Sequence, residues 1–438
     1  MTNFKVSPNE VFSTLQKHLF YDGPPIVFDL EKSSGVWVVD SITNKTYLDM
    51  FSFFVSLPLG FNHPVLHTPH WQNRLLRAAI HKPSNGDSYT QDFASFVKTF
   101  SDVVVPPGFN HLFFIDGGTL AIENALKVAF DWKIKKVGYN VQENDLSVLH
   151  FEESFHGRSG YTLSLTNTAP VKTKLYPKFS WPRVSNPKLR FPINDAEIRR
   201  VQAAEDEALH TINNIMDDQG LSIAAMVIEP IQGEGGDNHF RPEFFQALRK
   251  IADEREVMFI VDEIQTGMGM TGKMWAYEHY GIQPDIIAFG KKAQACGIMV
   301  NNRVDEVKDN VFVEASRIDS TWNGNLVDMV RCEAFLEVYQ EEGLVENARI
   351  VGEYLLNSLI ALSERTGKIH NIRGKGLMCA FDFATSQLRT EFMKQAFEVQ
   401  MLLITCGATS VRLRPALIFT KDNVDEFIFR VETILKRL

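Results

Sequence analysis

The sequence predicts an α/β protein with a parallel sheet covered by helices, joined to a smaller α+β domain. Three observations predict it. Between about residues 60 and 310, short apolar runs alternate with helix-spaced segments, the pattern of buried strands with helical crossovers. From about 311 onward, long helical stretches precede two strand-like runs. The length of 438 residues exceeds one simple core; it suggests about three domain-sized units and also fits two unequal domains.

The elements follow in chain order. "GVWVVD" and "KTYLDM", within residues 26–50, are strand-like. "HLFFI" is an apolar run ending at Asp116-Gly117-Gly118. In the "TLAIENALKVAFDWK" that follows, Ile122, Leu126, Ala129 and Trp132 share one helical face. "IAAMVIEP" and "VMFIVDE" are short buried strands around the helical "PEFFQALRKIADERE", and "DIIAF" is another. Further on, "NLVDMVRCEAFLEVYQEEG" and "RIVGEYLLNSLIALSERTG" are helical, "GLMCAFDF" and "VRLRPALIF" strand-like, and "NVDEFIFRVETILKRL" a closing helix. The early strands are expected to join the C-terminal part. Residues 1–59 and 311–438 then form the small domain and residues 60–310 the large one.

Composition narrows the function. With 45% hydrophobic and 23% charged residues, the chain matches a soluble globular protein. A net charge of -9 gives no basic footprint for nucleic acid. The compact basic cluster "KIKK" reads as a solvated helix C-terminus. Cys296, Cys332, Cys379 and Cys406 lie far apart without CxxC spacing, which predicts neither a structural zinc nor a disulfide framework. Reduced thiols in a cytoplasmic protein are expected. The first twenty residues show no basic segment followed by a long apolar one, so no secretory signal is expected. "FSFFVSLPLGF" is too short to span a bilayer and contains Pro58.

Several motifs carry possible chemistry. "GMGMTGK" nearly spells a P-loop, but Met274 stands where Ser or Thr must hold magnesium, and the preceding strand ends too early. "DGGTLAIENAL" places a glycine turn at a helix start, where backbone N–H groups hold phosphate or simply make a turn. "IVDEIQTG" sets Asp262 at a strand's carboxyl end, as partner of a buried cation or cap of the next turn. "EESFHGRSGYT" offers Phe155 for stacking and Arg158 for a carboxylate, or is a loop with a surface arginine. "IEPIQGEGG" carries Glu229 and Glu234, "VRLRP" aims Arg412 and Arg414 one way, and "STWNGN" starts a helix. "FGKKAQACG" puts Lys291 and Lys292 after a strand. One of the two is expected to point inward, since lysine is rarely buried without a partner.

In this order the motifs describe a pyridoxal-phosphate site. From about 25 to 435 the sequence resembles the class III aminotransferases of the fold-type I pyridoxal-phosphate enzymes. "VDEIQTGMGMTGKMWAYEHYGIQPDIIAFGKK" is the most specific stretch. "LDMFSFF", "FGKKAQACG", "STWNGNLVDMVR" and "RGKGLMCAF" look like the lysine ε-aminotransferase subgroup.

The resemblance implies a mostly parallel mixed sheet and the following roles. Lys291, 29 residues after Asp262, is the Schiff-base lysine, and Lys292 faces away. Asp262 pairs with the ring nitrogen, Gln265 bonds the ring hydroxyl oxygen, Phe155 stacks on the ring, and Gly118 and Thr119 hold the phosphate. Thr321 reaches the phosphate of a neighbouring subunit, so a homodimer shares its sites. Arg158 holds the lysine α-carboxylate. Glu234 masks Arg412 until a dicarboxylate takes its place. The implied reaction passes the ε-amine of L-lysine to 2-oxoglutarate; ornithine, 4-aminobutyrate or another ω-amine is the alternative donor. Two departures bear on that choice: Met270 replaces the arginine usual in class III, and Asp319 stands where the subgroup has asparagine near the distal end of the substrate.

Overall fold

The computed structural model describes residues 5–438; the first four positions of the expected N-terminal segment lie outside the described residues. The strands in chain order are β1 (Phe28–Ser34), β2 (Trp37–Asp40), β3 (Thr46–Asp49), β4 (His111–Ile115), β5 (Ser147–Phe151), β6 (Arg183–Val184), β7 (Ile223–Ile228) and β8 (Met258–Asp262). They continue with β9 (Ile286–Phe289), β10 (Cys296–Val300), β11 (His370–Lys375), β12 (Met378–Asp382), β13 (Met401–Leu402), β14 (Ile404–Cys406) and β15 (Ser410–Leu413).

Seven strands form the central sheet in the order β4-β10-β9-β8-β7-β5-β6. From β6 to β9 every neighbouring pair is parallel. Strand β10 is antiparallel to both β4 and β9, so the sheet is mixed rather than purely parallel. Why these segments are continuously apolar follows from their position. Every residue of β5, β7, β8 and β9 is buried. Alternate side chains serve opposite faces: Met258 and Ile260 pack with helix Gly118–Lys136, while Phe259 and Val261 pack against helices Asp195–Gln219 and Pro242–Glu254. Each large side chain buried this way contributes about 1.5–3 kcal/mol.

The early strands join the end of the chain. Strand β3 pairs in parallel with β13, giving the sheet β1-β2-β3-β13. A third sheet, β11-β12-β15-β14, packs with helices Leu344–Thr366 and Lys421–Leu435. Helix Leu326–Glu341 bridges the two halves: Met329, Cys332 and Leu336 enter the large core, and Phe335, Val338 and Tyr339 the other. Asn325 of "STWNGN" caps it by accepting from the Val327 N–H at 3.3 Å.

The P-loop look-alike is a packing joint. Met270 is fully buried in the core of the C-terminal part. A Cβ on Gly272 would meet the Arg349 backbone at 2.9 Å, and the Met270 carbonyl accepts from Leu377 N–H at 3.0 Å.

Candidate active site

The central sheet gathers the chemistry-bearing residues along one edge. Strands β4, β5, β7, β8 and β9 point the same way, so their carboxyl ends line one rim. Gly118 follows β4, Phe155 follows β5, Glu229 follows β7, Asp262 closes β8 and Lys291 follows β9. Register brings the last two together, because Asp262 pairs directly with Ala288 of β9.

These residues enclose a cavity of about 280 Å³, lined among others by Gly118, Thr119, Phe155, Asp262, Gln265 and Lys291. A second cleft shares Gly118 and Thr119 and adds Arg158. Gly157, at φ 136°, lets the Phe155 loop press on the helix start; a Cβ there would lie 2.7 Å from Thr119 Oγ1. Lys291 does not sit on a strand. It opens a 3-10 turn, Lys291–Ala293, at φ 47°. That left-handed backbone is a strained position for lysine. Lys292 is buried and donates to the Gln265 carbonyl at 2.9 Å, away from the cavity lining.

Electrostatics divides the rim into distinct roles. Burial lowers the Lys291 amine from its ordinary value; Asp262 opposes that, while Arg412 adds to it. Asp262 accepts from His156 Nδ1 at 2.7 Å and from Ile264 N–H at 3.1 Å. Burial disfavours a charged His156, yet its bond to Asp262 prevails and raises its pKa. Burial pushes Glu229 up to about 7, although it accepts from the N–H groups of Phe155 and Gly233 at 3.0 and 3.1 Å.

A cationic wall comes from the third sheet. Arg412 donates to Glu234 Oε2 at 2.7 Å and to Gln265 Oε1 at 3.2 Å. Fully buried Arg414 forks onto Asp237 at 2.9 and 2.5 Å and also donates to Gln265 Oε1. With its carbonyl oxygen so occupied, Gln265 has its NH₂ group left for an acceptor in the cavity. The Arg412 Nε is buried without a partner. Glu234 is also paired with Lys172. A further cavity of about 610 Å³, walled by Phe51, Phe54 and Met393, leads to Glu234 and Arg412.

Residues 21–435 match the family model for class III aminotransferases. The chain belongs to this family. An L-lysine-epsilon aminotransferase of Streptomyces clavuligerus is 47% identical, over 95% of this chain and 92% of that one. A Mycobacterium tuberculosis protein of the same name is 46% identical, over 98% of this chain and 96% of the other. The solved structure of the lysine aminotransferase of M. tuberculosis superposes with a TM-score of 0.96 at 45% identity, covering 99% and 100% of the two chains. The fold is therefore that of the fold-type I pyridoxal-phosphate transferases.

The cofactor of this class III aminotransferase is pyridoxal 5'-phosphate, and the cavity suits it. It offers a carboxylate at one wall, a buried amine, an aromatic face, and the first N–H groups of helix Gly118–Lys136 for an anion. Asp319 and Thr321, two of the expected site residues, line none of these cavities. Both are exposed. Asp319 accepts from Asn323 Nδ2 and Ser320 N–H, each at 2.8 Å. The loop is held in place by Asn85, which donates to the carbonyls of Trp322 and Gly324. His156, Asp237 and Lys172 are the participants that motif reading missed. The His in "FHGR" was visible beside Phe155, but its partner lies 106 residues away.

Proposed function

We infer that this class III aminotransferase moves the ε-amino group of L-lysine to 2-oxoglutarate, giving 2-aminoadipate 6-semialdehyde and L-glutamate. The observation that carries the substrate reading is the Glu234–Arg412 pair, 2.7 Å apart, beside the cofactor cavity. A site that takes both a diamino acid and a dicarboxylate must hide a cation from one and offer it to the other. Glu234 is suited to that: burial works against its charge, but Arg412 and Lys172 hold it below the ordinary glutamate value. Relatives of nearly half identity named for lysine support the choice over ornithine or 4-aminobutyrate.

Pyridoxal phosphate, when bound, supplies an aldehyde for amine exchange and an electron-poor ring that takes up the electron pair of the carbon losing a proton. Asp262, backed by His156, would face the ring nitrogen. Gln265 would donate to the ring hydroxyl oxygen, Phe155 would cover the ring face, and Gly118 and Thr119 would hold the phosphate. Lys291 would hold and move the proton at the substrate ε-carbon, first as base and then as acid. Its depressed basicity suits both tasks. Arg158 orients lysine through the α-carboxylate. In the second half-reaction Glu234 moves aside and Arg412 takes a carboxylate of 2-oxoglutarate.

Thr321 and Asp319 act from a second copy of the chain, Thr321 on the phosphate and Asp319 near the distal end of lysine, so the working unit is a homodimer with shared sites. The expected division, residues 1–59 and 311–438 as the small domain and 60–310 as the large one, is supported among the described residues by the β3–β13 pairing. No helix among the described residues is long and apolar enough to cross a membrane. The cysteines are free thiols, which suits the cytoplasm. The test is a half-reaction. L-lysine added to loaded protein without keto acid should bleach the yellow cofactor quickly and yield a trappable cyclic imine. Bleaching only by ornithine or 4-aminobutyrate would discard lysine and point to Asp319.

A further inference from the structure

Glu234 carries two cations. Its Oε2 accepts from Arg412, and its Oε1 accepts from Lys172. Lys172 closes the short turn Pro170–Lys172, donates to Thr168 Oγ1 at 3.1 Å, and stands 5.3 Å from the centroid of the Phe155 ring. Its side chain is 19% exposed and that of Glu234 29%, so neither is freely solvated. The three groups together hold one more positive than negative charge, and one added carboxylate would complete two pairs.

We propose that Lys172 is a positioning residue that receives Glu234 when the carboxylate leaves Arg412. The proposal rests on the reading above, that Glu234 masks Arg412 for lysine and frees it for a dicarboxylate. A carboxylate turned off a guanidinium in a half-buried cleft loses charge-assisted bonds unless another donor waits. Lys172 already holds the other oxygen, so a rotation of the Glu234 side chain breaks one pair and keeps the second. A flexible stem with three rotatable donors can follow a moving carboxylate, where a planar fork fixes one geometry. Lys172 thereby sets how readily Arg412 becomes available, and with it the balance between the two half-reactions.

The test uses loaded holoenzyme and glutarate, a dicarboxylate of matching span with no keto group to aminate. Its affinity is measured by titration calorimetry for wild type, K172M, K172R, E234Q and the double variant, beside the KM and kcat of each half-reaction. K172M should weaken glutarate about tenfold and raise the KM for 2-oxoglutarate, with a smaller change for lysine. K172R should recover part of the loss, because it keeps a donor for Glu234 but holds it in one geometry. In the E234Q background, adding K172M should change glutarate affinity less than about twofold, because the carboxylate it holds is gone. An equal loss in both backgrounds would show Lys172 binding the substrate itself and overturn the proposal. Equal losses in both half-reactions would mean a structural role and do the same. An E234Q enzyme with the wild-type ratio of half-reactions would instead overturn the masking role of Glu234, and the Lys172 proposal with it.

Discussion

Lys291 and Lys292 show what a residue's surroundings add to its identity. Strand alternation would send the two to opposite faces, and the outcome agrees, but for another reason. β9 ends at Phe289, and a left-handed Lys291 at φ 47° turns the chain so that one amine lines the cavity and the other meets a carbonyl. Burial lowers both amines. Their removal should differ in kind. Lys291→Ala should cut transamination by about 10³-fold or more while leaving a folded protein. Lys292→Ala should keep the yellow colour and most activity and lower stability by about 1–3 kcal/mol through the unpaired Gln265 carbonyl. Absorbance with L-lysine and urea unfolding of both variants check this. Most cavity residues were legible as motifs, because each sits in a short turn of its own at the end of an apolar strand. His156 was not, since nothing local reveals that its Nδ1 meets Asp262.

Elements place those residues, and loops complete them. Gly157 has φ 136° and no room for a Cβ beside Thr119. Gly157→Ala should therefore weaken cofactor binding about tenfold or more, read by fluorescence titration of the apoenzyme, with little loss of secondary structure. The turn after β8 adds a pH effect. Burial raises Glu263 to about 7, against bonds from Thr266 and the N–H groups of Tyr277 and Ala276 that lower it. The unfolded chain releases this proton near 4.5 and the folded one near 7, so the stability from Glu263 is present below the first value and lost as pH rises to the second. Glu263→Gln should flatten that decline by ~3 kcal/mol, measured as urea unfolding across the interval. Apolar strands with clean flanks were legible: β4, β7, β8 and β9 coincide with the runs in the sequence. Helix Asp195–Gln219 was not, because its inward face includes Glu197 and Glu205, neutralised by Arg200 and Arg241. β10 escaped because its place between β4 and β9 depends on pairing with both.

At the scale of the whole molecule, the two sheets meet through buried charge. Arg414 on Asp237 and Arg412 on Glu234 tie the third sheet to loops of the central one. Breaking such a buried pair from one side leaves a charge without a partner, which is costly. Asp319 and Thr321 are exposed, and the proposed homodimer is tested through Thr321. Mixing Lys291→Ala with Thr321→Val subunits should restore about half the wild-type activity per hybrid dimer, since one of the two sites then holds both intact residues. Hybrids no more active than the parents would mean that Thr321 serves its own subunit. Activity after subunit exchange, with the mass of the assembly measured alongside, decides it.

The sequence by itself determined the class of fold, the cofactor chemistry and most of the residues that line the cavity. Those properties lie in short contiguous stretches, each with its own backbone geometry and apolar period. Tertiary structure alone decided which side chains share a proton or a charge. His156 with Asp262, Arg414 with Asp237, and Lys172 with Glu234 are pairs between loops and strands far apart in the chain. Electrostatic partnership depends on distance in space, and burial strengthens it: the bond to Asp262 raises His156, and Arg412 and Lys172 lower Glu234. No period or motif encodes that distance before the sheets are packed.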